Sequence, residues 1–104
     1  MSMYLDEITL DSWGFLKDYW RHRRELVKIA EDVYSIICDM FGRAPNKYDC
    51  YIIYWKTLNR HSLYKKMVNR KAHLHPIFYE HFAQLLARYV LDKHWTSISS
   101  IRCP

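Results

Sequence analysis

An apolar stripe of helical period runs through the first 41 residues and limits the fold more than any other feature. Leu16, Trp20, Arg23, Val27, Ala30, Tyr34, Ile37 and Phe41 follow a three- and four-residue spacing, and only Arg23 is out of character. Tyr19, Leu26, Val33, Ile36 and Met40 form a second row beside it. Two adjacent rows make a broad apolar face, the pattern of a helix packed on a core. "FGRAPN" ends the stripe, with Gly42 placed as a C′ residue and Pro45 just beyond. The spacing predicts one helix over roughly residues 11–41, capped by Asp11, with Asp6, Glu7 and Asp11 near its positive end. Gly14 and "WRHRRE" are the places where it would bend or start late.

The next segment, "KYDCYIIYWKTL", has the β-branched and aromatic content of a strand. Tyr51, Tyr54, Trp55 and Leu58 nevertheless recur at helical spacing, and Asn46 or Asp49 offers an N-cap. No other segment reads as a strand to pair with it, and a lone strand leaves its backbone groups unsatisfied, so a helix is expected. Asn59 to His61 read as a turn and Ser62 as the cap of a third helix holding Leu63, Met67 and Val68. "HLHP" breaks that helix, and Pro76 suits the first turn of a fourth, running to His94 or Trp95. Residues 1–10 and 96–104 are expected to be extended or frayed. The chain thus reads as a single all-α domain over 1–104, a compact bundle of about four helices with one long N-terminal helix.

Its composition permits such a bundle. Half of the 104 residues are hydrophobic, enough for a core without staples, and two glycines and three prolines are too few for a turn-rich β fold. Nine tyrosines and four tryptophans suit half-buried positions and interfaces, since each carries a polar handle on an apolar body. Cys38, Cys50 and Cys103 make an odd count without a CxxC spacing. That pattern argues against a disulfide framework and for a reducing, cytoplasmic setting. "MSMYLDEITLD" lacks the basic-then-apolar pattern of a secretory leader, and the longest apolar run, "CYIIYW", falls far short of a membrane span.

Charge is segregated. Residues 50–79 hold six Lys/Arg and no acid, while the rest of the chain holds ten Lys/Arg against eleven acids. The entire net charge of +5 therefore resides in one window, a distribution that bears on partners rather than on fold. The two helices expected in this window, joined by a short turn, have the outline of a helix-turn-helix. On that reading Asn69 and Arg70 face base edges, Lys56, Arg60, Lys65, Lys66 and Lys71 meet phosphates, and Tyr64 stacks on an unpaired base. The expectation is a small non-enzymatic nucleic-acid-binding protein, with DNA favoured over RNA.

Three other readings compete. Trp13, Phe15, Tyr19 and Trp20, next to Arg23 and Arg24, have the residue types of an interface hot spot. They would make the chain a helical regulator or inhibitor of a larger, nucleic-acid-processing enzyme of phage or viral type, or a homodimer through the first helix. In the regulator reading the basic window docks on an acidic protein surface. His73 and His75, with His61, His81 and Cys50, offer donors to a metal, but structural zinc takes four ligands in paired short spacings, so no metal or cofactor is expected. Lastly, Arg70 and His75 have an R-x4-H spacing that resembles the catalytic motif of HEPN ribonucleases, small all-helical domains in which the pair acts on an RNA phosphodiester. Lys71 and Pro76 depart from that family's pattern.

Overall fold

A computed structural model of the chain describes residues 6–103, so the expectations for 1–5 and 104 lie outside the described residues. The chain is all-α: four main helices, α2 to α5, follow a short α1. α1 covers Glu7–Asp11, α2 Phe15–Phe41, α3 Lys47–Arg60, α4 Ser62–Asn69 and α5 Tyr79–Ile98, the last entered through a 3-10 turn at Pro76–Phe78. α3 packs mainly on α5, and both pack on α2, with α1 folded back against α2.

The long N-terminal helix starts later than its capping pattern suggests. Asp6, not Asp11, caps α1 by accepting from Ile8 N at 2.9 Å. The chain then reverses at Gly14, whose φ of 77° lies in the left-handed region where a side chain is strained. α2 begins at the next residue and bends at His22, whose φ of −114° and ψ of 16° are not helical. Both expected weak points are therefore real, and the second shifts the buried face. Phe15, Asp18 and Tyr19 are buried before the bend, and Leu26, Ala30, Val33, Tyr34, Ile37 and Cys38 after it. Trp20, Ile36, Met40 and Phe41, assigned inward by periodicity, are exposed.

The segment of strand-like composition is helix α3. Asn46 caps it, accepting from Asp49 N at 2.8 Å, and Tyr51, Tyr54 and Leu58 reach the core. The tyrosines are spent inside rather than at interfaces: Tyr19, Tyr34, Tyr51, Tyr54, Tyr64 and Tyr89 are all buried. Such burial requires a partner for each hydroxyl. Tyr54 donates to Leu26 O at 2.8 Å and Tyr64 to Tyr79 O, while Tyr19 and His94 Nε2 share a 2.5 Å hydrogen bond.

The C-terminal part departs most from expectation. Thr96 to Ile98 continue α5, Ile98 is fully buried, and Cys103 forms a disulfide with Cys38 on α2. The odd cysteine count hid this pairing, because only α5 folding back on α2 brings the two Cα atoms to 5.1 Å. A cross-link between residues 65 apart in sequence constrains the unfolded chain by about 4 kcal/mol on the loop-entropy view. The third cysteine, Cys50, is buried and free, and desolvation pushes its thiol up to about 12. A thiol held neutral in this way is neither a nucleophile nor a ready metal ligand.

Candidate nucleic-acid interface

A single residue, His61, separates α3 from α4 and defines the shape of the basic region. Its Nδ1 accepts from Leu63 N at 3.1 Å, so histidine supplies the cap expected of Ser62. An accepting Nδ1 places the ring proton on Nε2, the other nitrogen. His75 repeats the device at the next helical start, with Nδ1 accepting from Ile77 N at 3.2 Å. These two histidines are thus structural caps that each keep one N–H free to donate.

Within α4, Leu63, Tyr64, Met67 and Val68 are buried. The same helix leaves Lys65, Lys66, Asn69 and Arg70 exposed, as the spacing predicts. Lys56 and Arg60 are exposed one turn apart on α3, where they line a cleft with Ile53, Thr57 and His61. Among the described residues the ion pairs are Lys28–Asp32, Lys47–Asp92, Lys71–Asp18 and Lys93–Glu7. Lys56, Arg60, Lys65, Lys66 and Arg70 take part in none of them. The positive charge of these five cations, exposed with Asn69 on or next to adjoining helices, is thus not neutralised by an ion pair among the described residues.

Two assigned residues do not belong to that surface. Tyr64 is 1% exposed with its hydroxyl on Tyr79 O, and burial pushes its pKa up, so it stacks on no base. Lys71 is 8% exposed, its Nζ 3.0 Å from Asp18 Oδ2 and 5.3 Å from the centre of the Phe15 ring. Asp18 Oδ2 is buried without a hydrogen bond and relies on this ammonium. The space for it comes from Gly14: a Cβ there would stand 2.9 Å from Lys71 Nζ. Lys71 thus joins the segment after α4 to the α1–α2 junction, and its charge is committed within the fold.

The N-terminal aromatic band is also largely internal. Phe15 and Tyr19 are buried, and Trp13 is half-buried with its ring centre 4.7 Å from that of Phe82. Only Trp20, Arg23 and Arg24 are exposed. Arg23 donates to Trp20 O at 2.7 Å and lies 5.4 Å from the indole centre, while Lys93 Nζ approaches the same ring at 5.6 Å. Lys93 also lies 3.2 Å from Tyr89 Oη, which donates to Glu7 Oε1 at 3.0 Å. That polar cluster ties α1 to α5. Next to it, His94 is held below its ordinary pKa, chiefly by burial and then by Lys93.

Sequence reasoning missed the apolar counterpart of the basic face. Ile36, Met40 and Phe41 on α2 and Ile53 on α3 are exposed, and a cleft beside them is lined by Phe41, Arg43, Ile52 and Ile53. At this end of α2 Ile37 and Cys38 are buried, and Ile36, Met40 and Phe41 fall on the parts of the helix surface left outward. His61 was equally invisible as a cap, because histidine has no strong preference for that position. Among the described residues no group of three or more His, Cys, Asp or Glu is placed to hold a metal ion. No helix of the described chain is long and apolar enough to cross a membrane. No family model matches the chain, and neither the curated proteins nor the solved structures contain a significant match.

Proposed function

We propose that the protein binds nucleic acid, DNA in preference to RNA, as a non-enzymatic module. Lys56, Arg60, Lys65 and Lys66 contact phosphates, and Asn69 and Arg70 face base edges. The observation that carries this reading is the set of five exposed cations without an acidic partner, on two helices joined by one residue. Phosphate is the ligand that rewards such an arrangement, because each contact releases condensed counterions. α4 is about 12 Å long, a length that the major groove admits, and Asn and Arg have the two-pronged geometry of adenine and guanine edges. Cytoplasmic residence does not follow from the cysteines, since Cys38 and Cys103 pair as a disulfide, a bond that persists in oxidising compartments.

Fluorescence anisotropy with a labelled 20-base-pair duplex at low salt tests the reading. The Lys65→Ala, Arg70→Ala double variant should bind at least tenfold more weakly than the parent. Equal affinity would remove α4 from the interface, and no binding by either protein would end the proposal. A second reading, a helical regulator of a larger enzyme, is favoured by the exposed apolar end of α2. The ribonuclease reading is checked by comparing RNA cleavage by the parent and His75→Ala, and identical residual cleavage would end it.

A further inference from the structure

Large apolar side chains are exposed in several places, among them Ile8, Trp20, Tyr48, Ile77 and Phe78, and the C-terminal half of α2 with the outer face of α3 holds four more. Ile36 is 55% exposed, Met40 71%, Phe41 56% and Ile53 44%, four large apolar side chains facing solvent on two packed helices. Ile36 and Met40 lie one turn apart on α2, and Phe41 and Ile53 line one cleft, a clustering that suits an interaction site. Two clefts meet at Ile53. One opens toward Phe41 and Arg43, the other toward Lys56, Arg60 and His61. Joined at Ile53, they form a trough with Phe41, Ile52 and Ile53 in its middle and Arg43, Lys56 and Arg60 toward its ends, while Glu25 and Asp32 line an adjoining cleft on the α2 side at His61. Asp49, in the first turn of α3, is the one acid that lines either cleft.

We infer that this trough seats an acidic amphipathic helix from a protein partner. Nucleic acid accounts for the cations but offers nothing to cover Phe41 and Ile53, the exposed apolar residues that line the trough. A second copy of this chain could cover them, but a two-fold interface sets each patch against itself. Arg43, Lys56 and Arg60 would then face their own kind in a chain of net charge +5. A helix with apolar anchors on one side and carboxylates along its edges satisfies both properties of the trough. From Asp49 to Arg60 the α3 wall runs about 16 Å, room for three helical turns. Because Lys56 and Arg60 belong to both surfaces, occupancy of the trough removes two of the four phosphate contacts. The partner therefore antagonises nucleic-acid binding, whereas the trough itself does not depend on that binding.

The test uses synthetic 14-residue helices on the full chain. One has leucine at three- and four-residue spacing with glutamate elsewhere. The second replaces each glutamate by lysine, and the third replaces each leucine by serine. The Leu/Glu peptide should bind at 0.15 M salt, and each control should bind at least tenfold more weakly. Ile53→Asn and Met40→Asn, at exposed positions, should each weaken the Leu/Glu peptide about tenfold with unchanged circular dichroism. Lys65→Ala, Arg70→Ala should leave it within twofold. The charge-reversed Lys56→Glu, Arg60→Glu variant should prefer the Leu/Lys peptide. Equal binding of the Leu/Glu peptide by parent and Ile53→Asn, or loss of it in Lys65→Ala, Arg70→Ala, would overturn the inference as unspecific charge attraction. Sedimentation showing a dimer of the parent that Ile53→Asn dissolves would overturn it in favour of a second copy. Peptide binding without any duplex binding would leave this inference standing and remove the nucleic-acid reading.

Discussion

Lys71 and Arg70 are neighbours in sequence and opposites in structure. Arg70 is exposed at the end of α4 without an ion-pair partner among the described residues, whereas Lys71 is enclosed at the α1–α2 junction against Asp18. The same division runs through the whole basic window: five of its cations are free to meet a ligand and one is a tether. Net charge in sequence therefore overstates the charge available for binding. A buried cation that loses its partner is costly, while an exposed one can be removed with little effect on folding.

Substitutions on the two sides of this divide should differ most in stability. Lys71→Met leaves Asp18 buried without its counter-charge and should lower unfolding stability by about 3 kcal/mol, read from urea midpoints. Adding Asp18→Leu should restore most of that loss, since an apolar pair of similar volume replaces the ion pair. A loss under 1 kcal/mol for the single variant would mean that Lys71 is not a tether. Gly14→Ala should cost about 2 kcal/mol, combining left-handed backbone strain with displacement of the Lys71 ammonium. In the Lys71→Met background the part due to displacement should vanish, and an unchanged cost would show that backbone strain is the only cause.

Acid should act on the buried side as well. His94 has a lowered pKa in the fold, so below its ordinary value near 6.5 the unfolded chain binds more protons than the native one. Stability should therefore fall as pH drops from 7 to 5, and His94→Gln should flatten that part of the profile. A steeper profile in the variant would contradict the burial argument. Smallest of all, Lys65→Ala, Arg70→Ala should shift stability by no more than about 0.5 kcal/mol, as exposed substitutions do.

How much of this was readable in the chain follows from what each feature depends on. Helical period is local, so the bodies of α2, α3, α4 and α5 and the breaks at Gly42 and His75-Pro76 could be read directly. The caps expected at Asp11 and Ser62 and the end of α5 could not. The aromatic run of α3 resolved correctly because a strand without a partner cannot satisfy its backbone. Exposure of Lys65, Lys66, Asn69 and Arg70 followed from the inward face of α4. Pairwise outcomes across the fold were not readable. Whether Lys71 faced solvent depended on Asp18 and on the missing side chain at Gly14, over fifty residues away. Tyr64 needed a backbone carbonyl on α5, and Cys103 needed the end of α2. The exposed end of α2 escaped notice for another reason: its residues keep the helical period, so periodicity alone did not separate buried Ile37 and Cys38 from exposed Ile36, Met40 and Phe41.

The salt dependence of duplex binding tests the central division between free and committed charge most directly. With four phosphate contacts, the slope of log K against log salt for the parent should be about −3.6, at 0.9 per contact. Lys65→Ala, Arg70→Ala removes one of them and should flatten it by about 0.9, while Lys71→Met, assayed at a temperature where it remains folded, should keep the parent slope. A slope near zero for the parent, or a flattening by Lys71→Met equal to that of a single exposed cation, would contradict the account.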